Sequence, residues 1–180
     1  MYTEQTGKFP HSSSRGINYQ MILHEIDGAS TWVEGMKNRT EGEMIEVRRR
    51  GLLRIKQQGI TPTHQVLDNE ISQTYKEEIR ELGMSYQLVP PDDHRRNIAE
   101  RAIKTQKNHF VGVLSRAAVT FPLHLWCQAI PQVKRQLMLL PMSNVNPIIS
   151  SYAHVYGQHD HNTDPVVPIS MDSLVHDNPN

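Results

Sequence analysis

The stretch from Tyr86 to Phe110, YQLVPPDDHRRNIAERAIKTQKNHF, constrains this chain more than any other. Tyr86 to Val89 is a short β-prone run, and Pro90-Pro91 cannot continue a hydrogen-bonded ladder. Asp92 and Asp93 are good N-cap residues for the helical pattern that follows, which puts Glu100 in the first turns of a helix. At about 100° per residue, Ala99, Ala102, Ile103, Phe110, Val113 and Leu114 share one stripe, and Asn97, Glu100, Lys104 and Lys107 share the adjoining one. The first stripe reads as core. The second has two readings: a solvated face with an i,i+4 Glu100–Lys104 pair, worth about 0.3 kcal/mol, or a metal-binding carboxylate beside a phosphate-binding row.

The rest of the chain predicts an alternation of strands and helices. Tyr2 to Phe9 reads as a strand barely begun at residue 1 and expected to fray, followed by a loop through Pro10 and Ser12 to Gly16. Tyr19–Ile26 and Thr31–Met36 are β-prone runs joined by Asp27-Gly28-Ala29-Ser30, a hairpin signal because Asp and Gly tolerate positive φ. Turn chemistry therefore explains Asp27 without a metal. Glu41 to Gln58 is helical, with Met44, Val47, Leu52 and Ile55 inward and Gly59 as the stop. Arg48, Arg49, Arg50, Arg54 and Lys56 crowd this helix and read as a solvated face, with DNA contact as the alternative. His64 to Leu67 is a strand leading into Asp68, and Ile71 to Leu82 is a short helix ended by Gly83. Pro122 to Leu140 reads as an amphipathic helix kinked at Pro131, with Trp126 in the core. Strand, helix, strand, helix is the α/β pattern.

Composition narrows the partners. The 180 residues carry 19 Lys+Arg against 19 Asp+Glu, so nucleic-acid binding must rest on local patches. Four of the acids lie in residues 151–180, which hold no Lys or Arg, leaving a mildly basic body of 19 basic and 15 acidic residues. The only cysteine, Cys127, excludes an intrachain disulfide and a Cys-rich zinc site and suggests a reducing compartment. No apolar run approaches the roughly 18 residues of a membrane span, and Met1 to Glu4 open no signal peptide, so an intracellular protein without membrane partners is expected. Residues 1–150 are read as one domain. Residues 151–180 are read as a partly disordered tail, with a short element at Tyr152 to Gly157 and disorder over 158–180. His159-Asp160-His161 lacks further ligands at suitable spacing.

Val66-Leu67-Asp68-Asn69, then a short helical segment, then Asn97-Ile98-Ala99-Glu100-Arg101 resembles the second and third acidic positions of retroviral and retrotransposon integrase catalytic cores, most of all those of copia-type retroelements. That family has Asp-Asn-Gly at a strand end and Asn-Gly-x-Ala-Glu-Arg on a later helix. The likeness extends downstream through Phe121-Pro122-Leu123-His124-Leu125-Trp126 and Gln128-Ala129-Ile130, similar to the family's Pro-x-x-x-Trp-x-x-Ala segment. Upstream it takes in Pro10 to Gly16 and Tyr19 to Asp27, covering most of residues 2 to 150. The resemblance implies a ribonuclease-H-like fold, a mixed five-stranded sheet with helices on its faces. It also implies DNA integration by metal-dependent polynucleotidyl transfer, with 3′ end processing and strand transfer. Glu4, Asp68 and Glu100 would be the catalytic and metal-binding acids, and Mg²⁺ or Mn²⁺ the cofactor, as two ions. Arg95, Arg96, Asn97, Lys104 and Lys107 would contact DNA. A homo-oligomer acting in the nucleus, with no small-molecule substrate, is expected.

Several positions depart from the family pattern. Its first catalytic acid is an Asp in a context like Thr-Asp-Gln-Thr-Gly, and here that position is Glu4. Asp-Asn-Gly is Asp68-Asn69-Glu70, and the Asn-Gly before the catalytic helix is Arg96-Asn97. No His/Cys zinc module and no basic carboxy-terminal module accompany the core, which implies a core-only fragment and a degenerate copy. Two alternatives stay open: a non-enzymatic nucleic-acid-binding or dimer-forming remnant, and a ribonuclease-H-like nuclease that only hydrolyses.

Overall fold

The computed structural model describes residues 1–67, 71–89, 98–167 and 169. Five strands, β1 (Tyr2–Gln5), β2 (Tyr19–Glu25), β3 (Ser30–Met36), β4 (His64–Leu67) and β5 (Ser85–Leu88), form one sheet in the order β3-β2-β1-β4-β5. β1 pairs antiparallel with β2, and β2 with β3; β1 pairs parallel with β4, and β4 with β5. The helices are α1 (Glu41–Gln57), α2 (Gln73–Glu81), α3 (Ile98–Ser115), α4 (Ile130–Leu139) and α5 (Ser151–Tyr156). The fold is therefore the α/β class that the strand and helix pattern predicts, with the mixed five-stranded sheet that the resemblance implies.

Period-two alternation along β2 divides the core. Met21 and Leu23 join Val47, Leu52 and Ile55 of α1 and Tyr75 and Ile79 of α2 on one face. Ile22 joins Ile103, Phe110 and Val113 of α3, Trp126, and Val133 of α4 on the other. Phe9, Phe110 and Trp126 form an aromatic triad, with Phe110 edge-on to both partners. The indole of Trp126 donates to the carbonyl of His11 at 2.9 Å, tying the loop after β1 to this layer.

Four local expectations change. β1 ends at Gln5, short of the expected Phe9, and it is the central strand, tied at its start: the Met1 ammonium donates to His64 O and Val66 N donates to Met1 O, both at 2.9 Å. In the β2–β3 turn the positive φ falls on Ala29, at 54°, rather than on Asp27 or Gly28. The Glu25 carboxylate explains this, since it accepts from the backbone N–H of both Asp27 and Gly28 and from Ser30 Oγ, fixing a longer, side-chain-capped turn. Pro131 kinks nothing. Leu123–Ala129 is a 3₁₀ segment and Pro131 stands in the first turn of the separate helix α4, where its missing N–H has no partner to lose.

The arginine row of α1 is the fourth. Arg48 is fully buried, its guanidinium paired with Glu78 of α2 and its Nε donating to Gln65 Oε1 on β4 at 2.8 Å. Gln65 Nε2 donates in turn to Thr3 Oγ1 on β1 at 2.7 Å. Arg49 binds the other oxygen of Glu78 at 2.9 Å, while Arg50 and Arg54 both bind the buried Glu34 of β3. These four guanidinium groups are paired with carboxylates, which gives the arginines of the row a structural role.

Of the tail, residues 158–167 lie back over α4. Arg135 pairs with Asp164, and Gln132 Nε2 donates to Val167 O. Among the described residues, no helix is long and apolar enough to cross a membrane.

Removing one member of the Arg48–Glu78 pair leaves a buried charge unmatched. Glu78→Ala is expected to lower unfolding free energy by about 3–5 kcal/mol in urea titrations, and the double replacement Arg48→Met with Glu78→Met by clearly less.

Candidate functional site

The site is built around β1, where the sheet changes from antiparallel to parallel pairing. Glu4 lies directly opposite Ile22 in the β1–β2 register. Opposed residues of an antiparallel pair share a face, so Glu4 stands on the Ile22 side of the sheet, the side that α3 covers. It is half-buried, and one carboxylate oxygen accepts from Gln5 N at 2.9 Å. Glu100 sits in the first turn of α3, exposed, as its sequence position predicts. Ile103 and Phe110 anchor the opposite stripe of that helix in the core. Lys104 and Lys107 are exposed on the outer stripe with Glu100, and no other side chain takes their ammonium groups among the described residues. Asp68, Arg95, Arg96 and Asn97 lie outside the described residues, as do the N-cap candidates Asp92 and Asp93.

A buried polar contact that the sequence does not advertise ties α3 to the sheet. Gln106, fully buried, donates from its side-chain amide to Gln20 Oε1 on β2, and Gln20 N donates to Thr6 Oγ1 at 2.8 Å. A glutamine in a helix pattern reads as surface, so its residue type does not mark Gln106 as core. Its place does, since position 106 falls between Ile103 and Phe110 on the apolar stripe, at helical spacing.

A cleft of about 270 Å³ opens at the ends of β1 and β4, lined by Thr3, Glu4, Gln5, Met44, Leu67 and Tyr75 among others. Glu4 and Leu67, the residue that precedes Asp68, thus share one concavity. Arg39 lines the cleft too, its Nη2 donating to Thr6 O at 2.7 Å and its guanidinium over the Tyr19 ring. Asp27 stands away from this cleft in the hairpin turn, where its carbonyl accepts from Val145 N. The donor chemistry of Glu4 and Glu100 suits a hard divalent ion, which takes oxygen ligands, better than zinc, which takes nitrogen and sulfur. Among the described residues, no three His, Cys, Asp or Glu side chains converge.

His24 of β2 borders the start of α3. Burial pulls it down to about 4 from the usual 6.5, helped by the amino-terminal ammonium and by Arg101. Its Nδ1 lies 3.0 Å from Thr31 Oγ1.

No family model matches the chain, and no curated protein matches it in sequence. Its structure does have counterparts. It is similar to a chain of the simian T-cell lymphotropic virus intasome in complex with the PP2A regulatory subunit B56 gamma, at 15% identity and a TM-score of 0.66, over 99% of this chain and 59% of that one. The chain thus spans under two thirds of that relative's length. It is also similar to the catalytic core domain of BIV integrase, at 12% identity and TM-score 0.58, covering 86% and 91% of the two chains. The HTLV-2 integrase catalytic core domain, solved in complex with magnesium in a trimeric form, matches at 18% identity and TM-score 0.61, covering 86% and 94%. The chain has the ribonuclease-H-like fold of retroviral integrase catalytic cores. At these identities the likeness is one of fold.

The His24 shift has a definite sign. A histidine whose value is depressed in the folded state contributes stability that is complete above the unfolded value of about 6.5 and is lost as pH falls toward about 4. Because His24 is not wholly enclosed, the loss across that window is expected to be about 1–3 kcal/mol. Unfolding titrations at pH 7 and pH 4.5 should show it, and His24→Gln should narrow the difference between the two.

Proposed function

We propose that this chain is the catalytic core of a copia-type retroelement integrase, acting on DNA by metal-dependent polynucleotidyl transfer. The observation that carries the reading is the register of β1 against β2, which puts Glu4 on the sheet face covered by the helix that bears Glu100, beside the strand that runs into Asp68. In this reading Glu4, Asp68 and Glu100 are the carboxylates that hold Mg²⁺ or Mn²⁺. When bound, two such ions supply charge stabilisation to the attacking and leaving oxygens of an in-line displacement at phosphorus. Lys104 and Lys107, with Arg95, Arg96 and Asn97, hold the phosphodiester backbone in position without reading sequence. The protein works as a homo-oligomer on chromosomal DNA in the nucleus.

Glu4 sets the level of activity. Glutamate keeps the charge, but its extra methylene moves the carboxylate by about 1 Å, and a displacement of that size at a reacting centre costs on the order of 10²-fold in rate. Strand transfer with labelled duplex DNA and Mn²⁺ is therefore expected to be weak for the native chain. Glu4→Asp should raise it by at least about tenfold, and Glu100→Gln in that background should abolish it. Native activity equal to that of Glu4→Asp contradicts the assignment of Glu4 as a misplaced ligand. Metal-dependent cleavage without joining would favour the purely hydrolytic nuclease.

DNA affinity is expected to be modest and steeply salt-dependent, because the patch is local and the net charge is zero. Replacing Lys104 and Lys107 by Ala should flatten the slope of log K against log salt by about one for each phosphate that is no longer neutralised. An unchanged slope removes α3 from the DNA interface.

A further inference from the structure

The exposed side of α3 does not end at Lys107. Lys104, Asn108 and Gly112 follow at i,i+4 spacing, and Arg116 stands one residue past the end of the helix, so the row runs about 18 Å. Its far half borders a cleft of about 440 Å³ between α3 and α4, lined by Asn108, Gly112, Arg116, Gln132 and Gln136 and closed on one side by Val166 and Val167. This volume lies in the range of about 300–1,000 Å³ found for small-ligand pockets.

The chemistry of the lining is unusual for a crevice between helices. His109 and Gln136 are hydrogen-bonded to each other across the floor at 2.8 Å. The Asn108 amide and the Arg116 guanidinium have no side-chain partner among the described residues, and both are exposed beside the opening. Carboxamides present a donor and an acceptor side by side, the pattern that pairs with the edge of a nucleobase, and a guanidinium stacks on a base or binds its phosphate. The cleft has open space at Gly112, where a Cβ would meet no heavy atom within 4 Å. The lining holds no carboxylate that would repel a nucleotide.

We propose that the cleft between α3 and α4 is a nucleobase subsite, taking one unpaired base of a DNA strand whose phosphates lie along Lys104 and Lys107. This rests on the reading of α3 as a DNA-binding helix. It adds that the protein distinguishes an unpaired nucleotide from a paired one. In a duplex the base edges are already engaged and stacked, so only a splayed nucleotide has an edge to offer Asn108, while Gln132 Nε2 and Gln136 Oε1 are already taken by Val167 O and His109.

The test uses the full chain and two labelled probes, a blunt duplex and the same duplex with one unpaired 3′ nucleotide, with affinity read by fluorescence anisotropy. The native protein is expected to bind the overhang probe about tenfold more tightly, the discrimination given by one well-made base contact. Gly112→Leu, at a position where an added Cβ meets no heavy atom within 4 Å, narrows the cleft and should bring that ratio toward one while leaving the blunt-duplex Kd unchanged. Asn108→Ala, at an exposed position that the fold does not need, should lower the ratio in the same direction. Equal affinity of the native protein for the two probes overturns the proposal. So does a ratio that survives both substitutions, or a weakening in Gly112→Leu that both probes share equally. Blunt-duplex binding with a slope set by Lys104 and Lys107 but no overhang preference sinks the cleft alone. Absence of binding to either probe sinks the DNA reading of α3 along with it.

Discussion

The buried Arg48–Glu78 pair is the contact on which the placement of β1 depends. Arg48 reaches from α1 to Glu78 on α2 and to Gln65 on β4, and Gln65 passes the connection to Thr3 on β1. An ionised pair in a core is stabilising only when its remaining hydrogen-bonding capacity is met, and here Arg49 and Gln65 meet it. The network lies on the α1/α2 face, directly behind Glu4. A short central strand of four residues has few ladder hydrogen bonds of its own, so this polar lattice holds its register while Glu4 stands on the opposite face. The Gln20–Gln106 contact does the corresponding work on the α3 face, fixing the helix that bears Glu100.

Much of the fold is legible because its signals are local. The β-prone runs Tyr19–Ile26 and Thr31–Met36 form β2 and β3. Gly59 and Gly83 close α1 and α2 with φ of 78° and 71°, as a stop in the left-handed region requires. Ser72 caps α2 by accepting from Tyr75 N. What the sequence hides is the pairing of distant charges. Arg48, Arg49, Arg50 and Arg54 look like a solvated basic face because Glu34 and Glu78, which neutralise them, lie 16 to 30 residues away and on other elements. The turn at Ala29 is hidden for a similar reason, since the capping carboxylate belongs to Glu25 in the strand before it.

The candidate site is legible to a different degree at each position. Glu100 falls in the first turn of α3 and Lys104 and Lys107 on its exposed stripe, because helical periodicity alone determines both. Glu4 reaches the α3 side through cross-strand register, which only the assembled sheet supplies. The same arithmetic separates the charged rows of α1 and α3. The four arginines of α1 pair with Glu34 and Glu78, and Lys104 and Lys107 of α3 are exposed in line with a polar cleft.

The central claim is that Glu4, Asp68 and Glu100 act together on a divalent ion. Calorimetric titration of Mn²⁺ into the native chain, Asp68→Asn and Glu100→Gln tests it without reference to catalysis. The account predicts saturable binding to the native chain that weakens by at least about tenfold in each variant, as removal of one anionic oxygen ligand requires. Binding of equal strength in all three, or heat from none, contradicts it.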